Sequence, residues 1–273
     1  CCTRTSRLNM KLYNTIKINN HSYYINDEDG DSCYLIIGNT HALLIDLGLF
    51  KEPLLPTIKN ITNKELIIVC THGHFDHIGI IKEFKEETIY LSHRDRDIYY
   101  DNAHIIKALS LIDFNQIKDL KNHQQIELGN FEIEVLALPG HTPGSMIFLD
   151  RQNKCIYTGD AIGSGCGVWL QLFHSLDLKT YHTALQQTID YLEKQGVDDT
   201  WHFWGGHNQQ EIQSKISAYN KLDFVLMKDE QLCLKLINSE ITGIKNSAPT
   251  FDDNQAYYAS YGKAEIVYQK NSL

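Results

Sequence analysis

The stretch Cys70–Ile80, CTHGHFDHIGI, places His72, His74, Asp76 and His77 within six positions. It directly follows the apolar run Leu66-Ile67-Ile68-Val69, which reads as a buried strand. Histidine and aspartate are poor strand residues and costly to bury unpaired. A cluster this dense at the end of a buried strand therefore limits the possible folds sharply. The fold must carry that strand end to a place where something compensates the buried polar groups. Metal does so for this residue set.

The same arrangement returns further along the chain. A strand over 131–138 runs into Pro139-Gly140-His141, one over 154–158 into Gly159-Asp160, and one over 201–204 into Gly205-Gly206-His207. Loops at strand ends carry sites because the scaffold is rigid and the loop backbone is free. Glycine lets the chain turn tightly and approach a ligand closely. The five imidazoles and two carboxylates gathered this way exceed the four ligands of one tetrahedral zinc site. They suit two ions about 3.5–4 Å apart that share a bridging carboxylate. His72 and His74 are two apart, so on an extended segment they face the same way. Asp76 and His77 follow a turn and face a neighbouring ion. The other histidines lack this context and read as ordinary core or surface residues.

Strand-like and helix-like runs interleave along the 273 residues. CYLIIG and HALLIDLG read as strands of a hairpin turning at Gly38-Asn39. PLLPTIKN, IGIIKEF and the run from His93 read as helices, and TIYLS, FEIEVLAL, SMIFLD and KCIYTGD as strands. LDLKTYHTALQQTIDYLEKQG is a long helix with Ser175 or Asp177 as N-cap and Gly196 as its stop. The pattern predicts mixed α/β. No Ser/Gly/Pro linker, repeat or low-complexity tract divides it, so residues 10–273 read as one domain. Residues 1–9 read as a leader or appended segment, with Met10 as a natural start; a cysteine at position 1 also suits a processed, lipid-anchored terminus.

Composition narrows the functional classes. The net charge is −9 with no basic block, a poor fit to sequence-independent nucleic-acid binding. No apolar run approaches the roughly 18–20 residues that span a bilayer. The seven cysteines are scattered and form no C-x-x-C, which favours a reducing cytoplasm. The expected partner is a small-molecule substrate, with neither nucleic acid nor membrane. Composition says nothing of oligomeric state.

THGHFDH, PGHTPGS, TGD and GGH, in this order, resemble the motifs of the metallo-β-lactamase superfamily of hydrolases. The resemblance implies a four-layer αβ/βα sandwich of two mixed sheets flanked by helices, with the metals at one edge between the sheets. It implies that His72, His74 and His141 hold a first ion, that Asp76, His77 and His207 hold a second, and that Asp160 bridges them. The antibiotic-destroying members lack the bridging aspartate and often use a cysteine for the second metal. The pattern here is closer to glyoxalase II, the N-acyl homoserine lactone lactonases and the ribonuclease Z group. Flavodiiron proteins carry a glutamate where His74 stands.

The implied activity is hydrolysis of an ester, thioester or lactone by a metal-bridged hydroxide, oriented by Asp76 and Asp160 as catalytic residues. A phosphodiesterase on the same site and a diiron redox or oxygen-using protein are the alternatives. Zinc is the expected metal, with iron or manganese also suited to such ligands. Thr71, Thr142 and Ser145 are candidates to orient the imidazoles. The segment GSGCGVWLQLF, 163–173, reads either as a mobile loop lining an apolar pocket, with Trp169 and Phe173 as substrate-binding residues, or as core. Cys166 reads as a free loop thiol because the ligand shell is already full. AYYASYG, Ala256–Gly262, reads as sheet or as a pocket cover. The tyrosine that the lactonase group carries after the bridging aspartate, and the basic lid of glyoxalase II, have no counterpart here.

Overall fold

The computed structural model describes residues 13–27, 29–105, 111–163, 167–198, 200–208, 222–245, 256–262 and 264–269. Cys166, the 1–9 segment and part of the 163–173 stretch lie outside them.

The first sheet takes its strands in chain order: β1 (Thr15–Lys17), β2 (Ser22–Asn26), β3 (Ser32–Ile37), β4 (His41–Ile45), β5 (Glu65–Val69), β6 (Thr88–Leu91) and β7 (Lys118–Asp119). Pairing is antiparallel up to β4 and parallel beyond it. Helix α1 (Leu55–Ile61) makes the β4–β5 crossover, with a proline in its first turn where a missing N–H costs nothing. The short α2 (Phe75–Ile78) follows β5, and α3 (Arg96–Ile105) lies between β6 and β7. The IGIIKEF stretch contributes a single 3₁₀ turn over Ile81–Phe84.

The chain continues through β8 (Gln125–Glu127), β9 (Glu132–Ala137), β10 (Met146–Asp150), β11 (Cys155–Gly159), β12 (Val168–Leu170), α4 (Leu178–Lys194), β13 (His202–Gly205), α5 (Leu222–Ile237), β14 (Ile244–Lys245), β15 (Ala256–Tyr261) and β16 (Ala264–Gln269). A second sheet has the order β13-β11-β10-β9-β8. A third has the order β12-β16-β15-β14; AYYASYG and AEIVYQ supply β15 and β16 as the sequence suggests, whereas β12 is not expected from it. Part of the expected loop 163–173 is thus a strand, because Val168–Leu170 pairs in parallel with Ile266–Tyr268. The aromatic stretch AYYASYG is likewise sheet, paired on both sides.

Period-2 alternation sorts the side chains into layers. From β3 and β4, Tyr34, Ile36, Leu43 and Ile45 meet Val135, Met146, Phe148 and Tyr157 of the second sheet. Their neighbours Cys33, Leu35, Ala42 and Leu44 face outward beneath α1 and the α3 region. On the far side of the second sheet, Ile147, Leu149 and Ile156 pack against α4, α5 and the third sheet. The result is helices, sheet, sheet and helices, with mixed sheets flanked by helices as expected.

Helix α4 buries Leu178, Tyr181, Leu185, Ile189 and Leu192, a stripe at helical spacing. Asp177 caps it by accepting from the Thr180 N–H at 2.9 Å, a bond type that contributes about 1 kcal/mol. Gly196 ends it at φ +74°. Among the described residues no helix is long and apolar enough to cross a membrane.

Candidate metal centre

The loops after β5, β9, β11 and β13 all open at one edge, where the two main sheets are stitched together. The Ser32 N–H donates to the Gly206 carbonyl at 2.8 Å, Asn208 N–H to Gly30 at 2.8 Å, and Met146 N–H to Thr71 at 2.8 Å. The Tyr34 hydroxyl donates to the Gly205 carbonyl at 2.6 Å. These ties hold strand ends that are remote in sequence within reach of one another.

All seven sequence-singled histidines and aspartates meet there. Ligand atoms of His72, His74 and His141 lie within 4.8 Å of one another, as do those of His72, His77 and Asp160, and those of Asp76, His77 and His207. His74 Nδ1 is 3.0 Å from both His72 Nε2 and His141 Nε2. Asp160 lies 3.6 Å from His77 Nε2, 3.6 Å from His141 Nε2 and 3.4 Å from His207 Nε2. Asp76 Oδ2 is 3.9 Å from His77 Nε2 and 3.7 Å from His207 Nε2. His72 and His74 converge as their spacing suggests, and Asp76 and His77 sit on α2.

Four imidazoles have their far nitrogen pinned. His77 Nδ1–H donates to Asp46 at 2.8 Å, His207 Nδ1–H faces Asp31 at 3.1 Å, and His141 Nδ1–H donates to the Trp169 carbonyl at 2.8 Å. The Thr71 hydroxyl donates to Asp46 at 2.8 Å and so accepts from His72 Nδ1 at 3.0 Å. Each bond fixes the tautomer that leaves an Nε2 lone pair aimed at the centre. Asp46 and Asp31 were not singled out by sequence. Asp46 carries the same strand-end signature as the ligands, since it directly follows β4 in LLIDLG. Asp31 sits in a turn cluster without such a mark.

Thr142 and Ser145 serve the loop rather than an imidazole. The Thr142 hydroxyl donates to Asp95 at 2.8 Å and meets the Ser145 hydroxyl at 2.9 Å. Asp95 also accepts the Gly73 and Gly144 N–H groups at 2.9 and 2.6 Å. It thereby joins the two loops that carry His74 and His141. Burial lifts its pKa to about 6 against those three donors.

The donor set fits divalent ions. Zinc–nitrogen bonds of about 2.0–2.1 Å in tetrahedral geometry put ligand nitrogens roughly 3.3 Å apart, close to the spacing among His72, His74 and His141. His77 Nε2 and Asp160 Oδ1 are buried with no hydrogen-bond partner, a state that coordination relieves. Burial and neighbouring imidazoles hold His72 and His74 well below the ordinary imidazole pKa, so both are neutral and ready to ligate. Burial, the largest single influence, opposes charge on His77 and His207, yet the surrounding carboxylates together outweigh it, Asp160 foremost, with Asp46 and Asp76 acting on His77 and Asp31 on His207, and both are raised, His207 to about 11. The carboxylates of this half thus call for positive charge, which a divalent cation supplies.

Gly206 is required at its position. A Cβ there would overlap Asp160 Oδ1 and come within 2.9 Å of His77 Cε1. Gly206→Ala is therefore expected to push Asp160 aside and weaken metal affinity by about 10–100-fold, as loss of a supporting contact does. Competition with a zinc-binding dye measures it.

The model of the metallo-beta-lactamase superfamily matches residues 26–199. The chain belongs to the metallo-beta-lactamase superfamily. Its relatives there include the probable polyketide biosynthesis zinc-dependent hydrolase PksB of Bacillus subtilis, 29% identical over 143 residues, which are 50% of this chain and 57% of that protein. Hydroxyacylglutathione hydrolase GloC of Haemophilus influenzae is 29% identical over 162 residues, 55% of this chain and 74% of that protein. The solved structure of TMB-1 shares the fold at a TM-score of 0.60 and 18% identity, covering 84% of this chain and 100% of that one. The superfamily match ends before His207.

Trp169 and Phe173 line a cavity of about 890 Å³ that opens onto His74, Asp76, His141, Asp160 and His207. Phe173 is 80% exposed at its mouth.

Proposed function

We propose that the chain is a metal-dependent hydrolase of an ester, thioester or lactone carbonyl, working with two divalent ions, most readily zinc. In this reading His72, His74 and His141 hold one ion, Asp76, His77 and His207 the other, and Asp160 lies between them. The observation that carries it is the convergence of these seven side chains from four loops, with four imidazoles tautomerically fixed toward one centre. The zinc dependence in the name of PksB and the hydrolysis in the names of both relatives support it. Free thiols at Cys33, Cys70, Cys155 and Cys233, all buried, support a reducing, cytoplasmic location.

Ions bound there supply Lewis-acid polarisation of the carbonyl and a hydroxide nucleophile at neutral pH. The protein's own part is orientation and proton handling. Asp46, Asp31 and the Trp169 carbonyl keep His77, His207 and His141 from turning. Asp160 is almost wholly buried, whereas the Asp76 side chain is 22% exposed and lines the cavity. Asp76 is therefore the group placed to accept the proton of the attacking oxygen at its carboxylate and return it to the leaving oxygen or sulfur as the acyl C–O or C–S bond breaks.

Elemental analysis beside a panel of thioesters, lactones, carboxylic esters and phosphodiesters tests this reading. Two zinc ions per chain and turnover of one carbonyl class are expected. Turnover of phosphodiesters alone would move the reaction to phosphorus. Two irons with oxygen uptake and no hydrolysis would overturn the hydrolase reading.

Chelation should abolish turnover, and zinc should restore it. At a hundredfold excess over its Kd, a bound ion adds about 2.7 kcal/mol. The chelated protein is therefore expected to melt roughly 5–10 °C lower, as differential scanning fluorimetry would record.

A further inference from the structure

We propose that the substrate's acyl part is an uncharged hydrocarbon chain or ring, seated on the wall formed by Leu49, Phe75, Ile98, Trp169, Leu172 and Phe173. This deepens the hydrolase reading and rests on it. The six residues come from four separate places: the loop after β4, α2, α3 and the segment from β12 to α4. They share one cavity of about 890 Å³ with the metal-centre residues. An apolar wall beside a polar reactive centre sorts a substrate into a buried tail and a reacting head.

The wall is held in place. The Asn102 amide of α3 donates to the Gly73 carbonyl at 2.5 Å, between two of the cluster histidines. His174 Nε2 meets Asp101 of α3 at 2.8 Å, which ties the Trp169–Phe173 side of the cavity to the Ile98 side. Trp169 is fixed through its backbone, because its carbonyl accepts from His141 Nδ1 and β12 is paired with β16. A preorganised apolar wall rewards a matching tail without first paying to order itself.

The lining also offers little to an anionic tail. Its aspartates are already matched, Asp29 by Lys51, Asp31 by His207, Asp101 by His174, and Asp76 and Asp160 by the ligand cluster. The described lining contains no Lys or Arg, so a tail that ends in a carboxylate finds no ammonium or guanidinium partner on it. A neutral tail meets the hydrocarbon wall.

The test uses the zinc-loaded full chain with 4-nitrophenyl esters from acetyl to octanoyl, beside a second series of matched length ending in a carboxylate. Removal of a methylene from water predicts that kcat/KM rises about fourfold per added CH₂ over the first few members. Each carboxylate-ended member should fall at least about tenfold below its neutral partner, the order of one unfavourable buried charge contact. Leu172→Ala and Phe173→Ala should flatten the chain-length slope.

Binding of hexanamide and octanamide, followed by tryptophan fluorescence or calorimetry, separates this proposal from the hydrolase reading. Chain-length-dependent amide binding without turnover of any ester, thioester or lactone would leave the pocket assignment standing and remove the hydrolase. Ester turnover that ignores chain length, or favours the carboxylate series, would overturn the pocket assignment and leave the hydrolase. Absence of both would remove both.

Discussion

Asp160→Ala is expected to lower kcat/KM by at least about a thousandfold, the upper range for a single electrostatic stabiliser, and to reduce the metal content to one ion or none. Asp160 is within 3.6 Å of imidazoles belonging to both halves of the cluster, namely His141 on one side and His77 and His207 on the other. Its removal withdraws the negative charge that both halves share. It also leaves the imidazoles of His77 and His207 facing each other without the carboxylate that separates them. Asp160→Asn keeps the shape and loses the charge, so it should behave like the alanine variant if bridging is the role. Two ions per chain and activity within tenfold of the parent in Asp160→Ala would remove Asp160 from the centre.

Asp46→Ala should have the largest effect on stability. Asp46 is 2% exposed. It accepts from Thr71 N–H at 2.7 Å, from the Thr71 hydroxyl at 2.8 Å and from His77 Nδ1–H at 2.8 Å. Truncation strands all three donors in a buried place, and breaking a buried pair of this kind costs about 3–5 kcal/mol. The backbone adds to the loss, because Asp46 sits at φ +60°. Aspartate and asparagine tolerate that region better than alanine does. His77 would also lose its orientation, with about a 10–100-fold drop in metal affinity. Asp46→Asn should recover the backbone part but not the charge. Melting of the metal-free protein and zinc competition separate the two contributions. A variant matching the parent in both would show that His77 needs no such support.

The ligand cluster is legible in the sequence because its chemistry is written locally. His72, His74, Asp76 and His77 are crowded behind an apolar strand, and the other three follow glycine at strand ends. The residues that hold the cluster are harder to read. Asp46 supports His77 from 31 positions away, and Asp95 holds Gly73, 22 positions before it, and Gly144, 49 positions after it. A supporting carboxylate looks like any other carboxylate until the fold brings its donor to it. Strand β12 of the third sheet was hidden for a similar reason. β12 has three residues and takes its partner almost a hundred positions later, and so short a parallel pairing has no local pattern. The glycine-rich composition around it reads as a loop.

Residue 169 stands at a junction between the two ligand-handling parts of the molecule. Its carbonyl steadies His141, and its side chain lines the cavity. The carbonyl is common to every amino acid, so the chemistry at the centre does not depend on which side chain occupies this position. If the cavity seats the acyl part as proposed, the choice of substrate does, and single exchanges at 169 would retune what is accepted while the backbone contact to His141 stays in place.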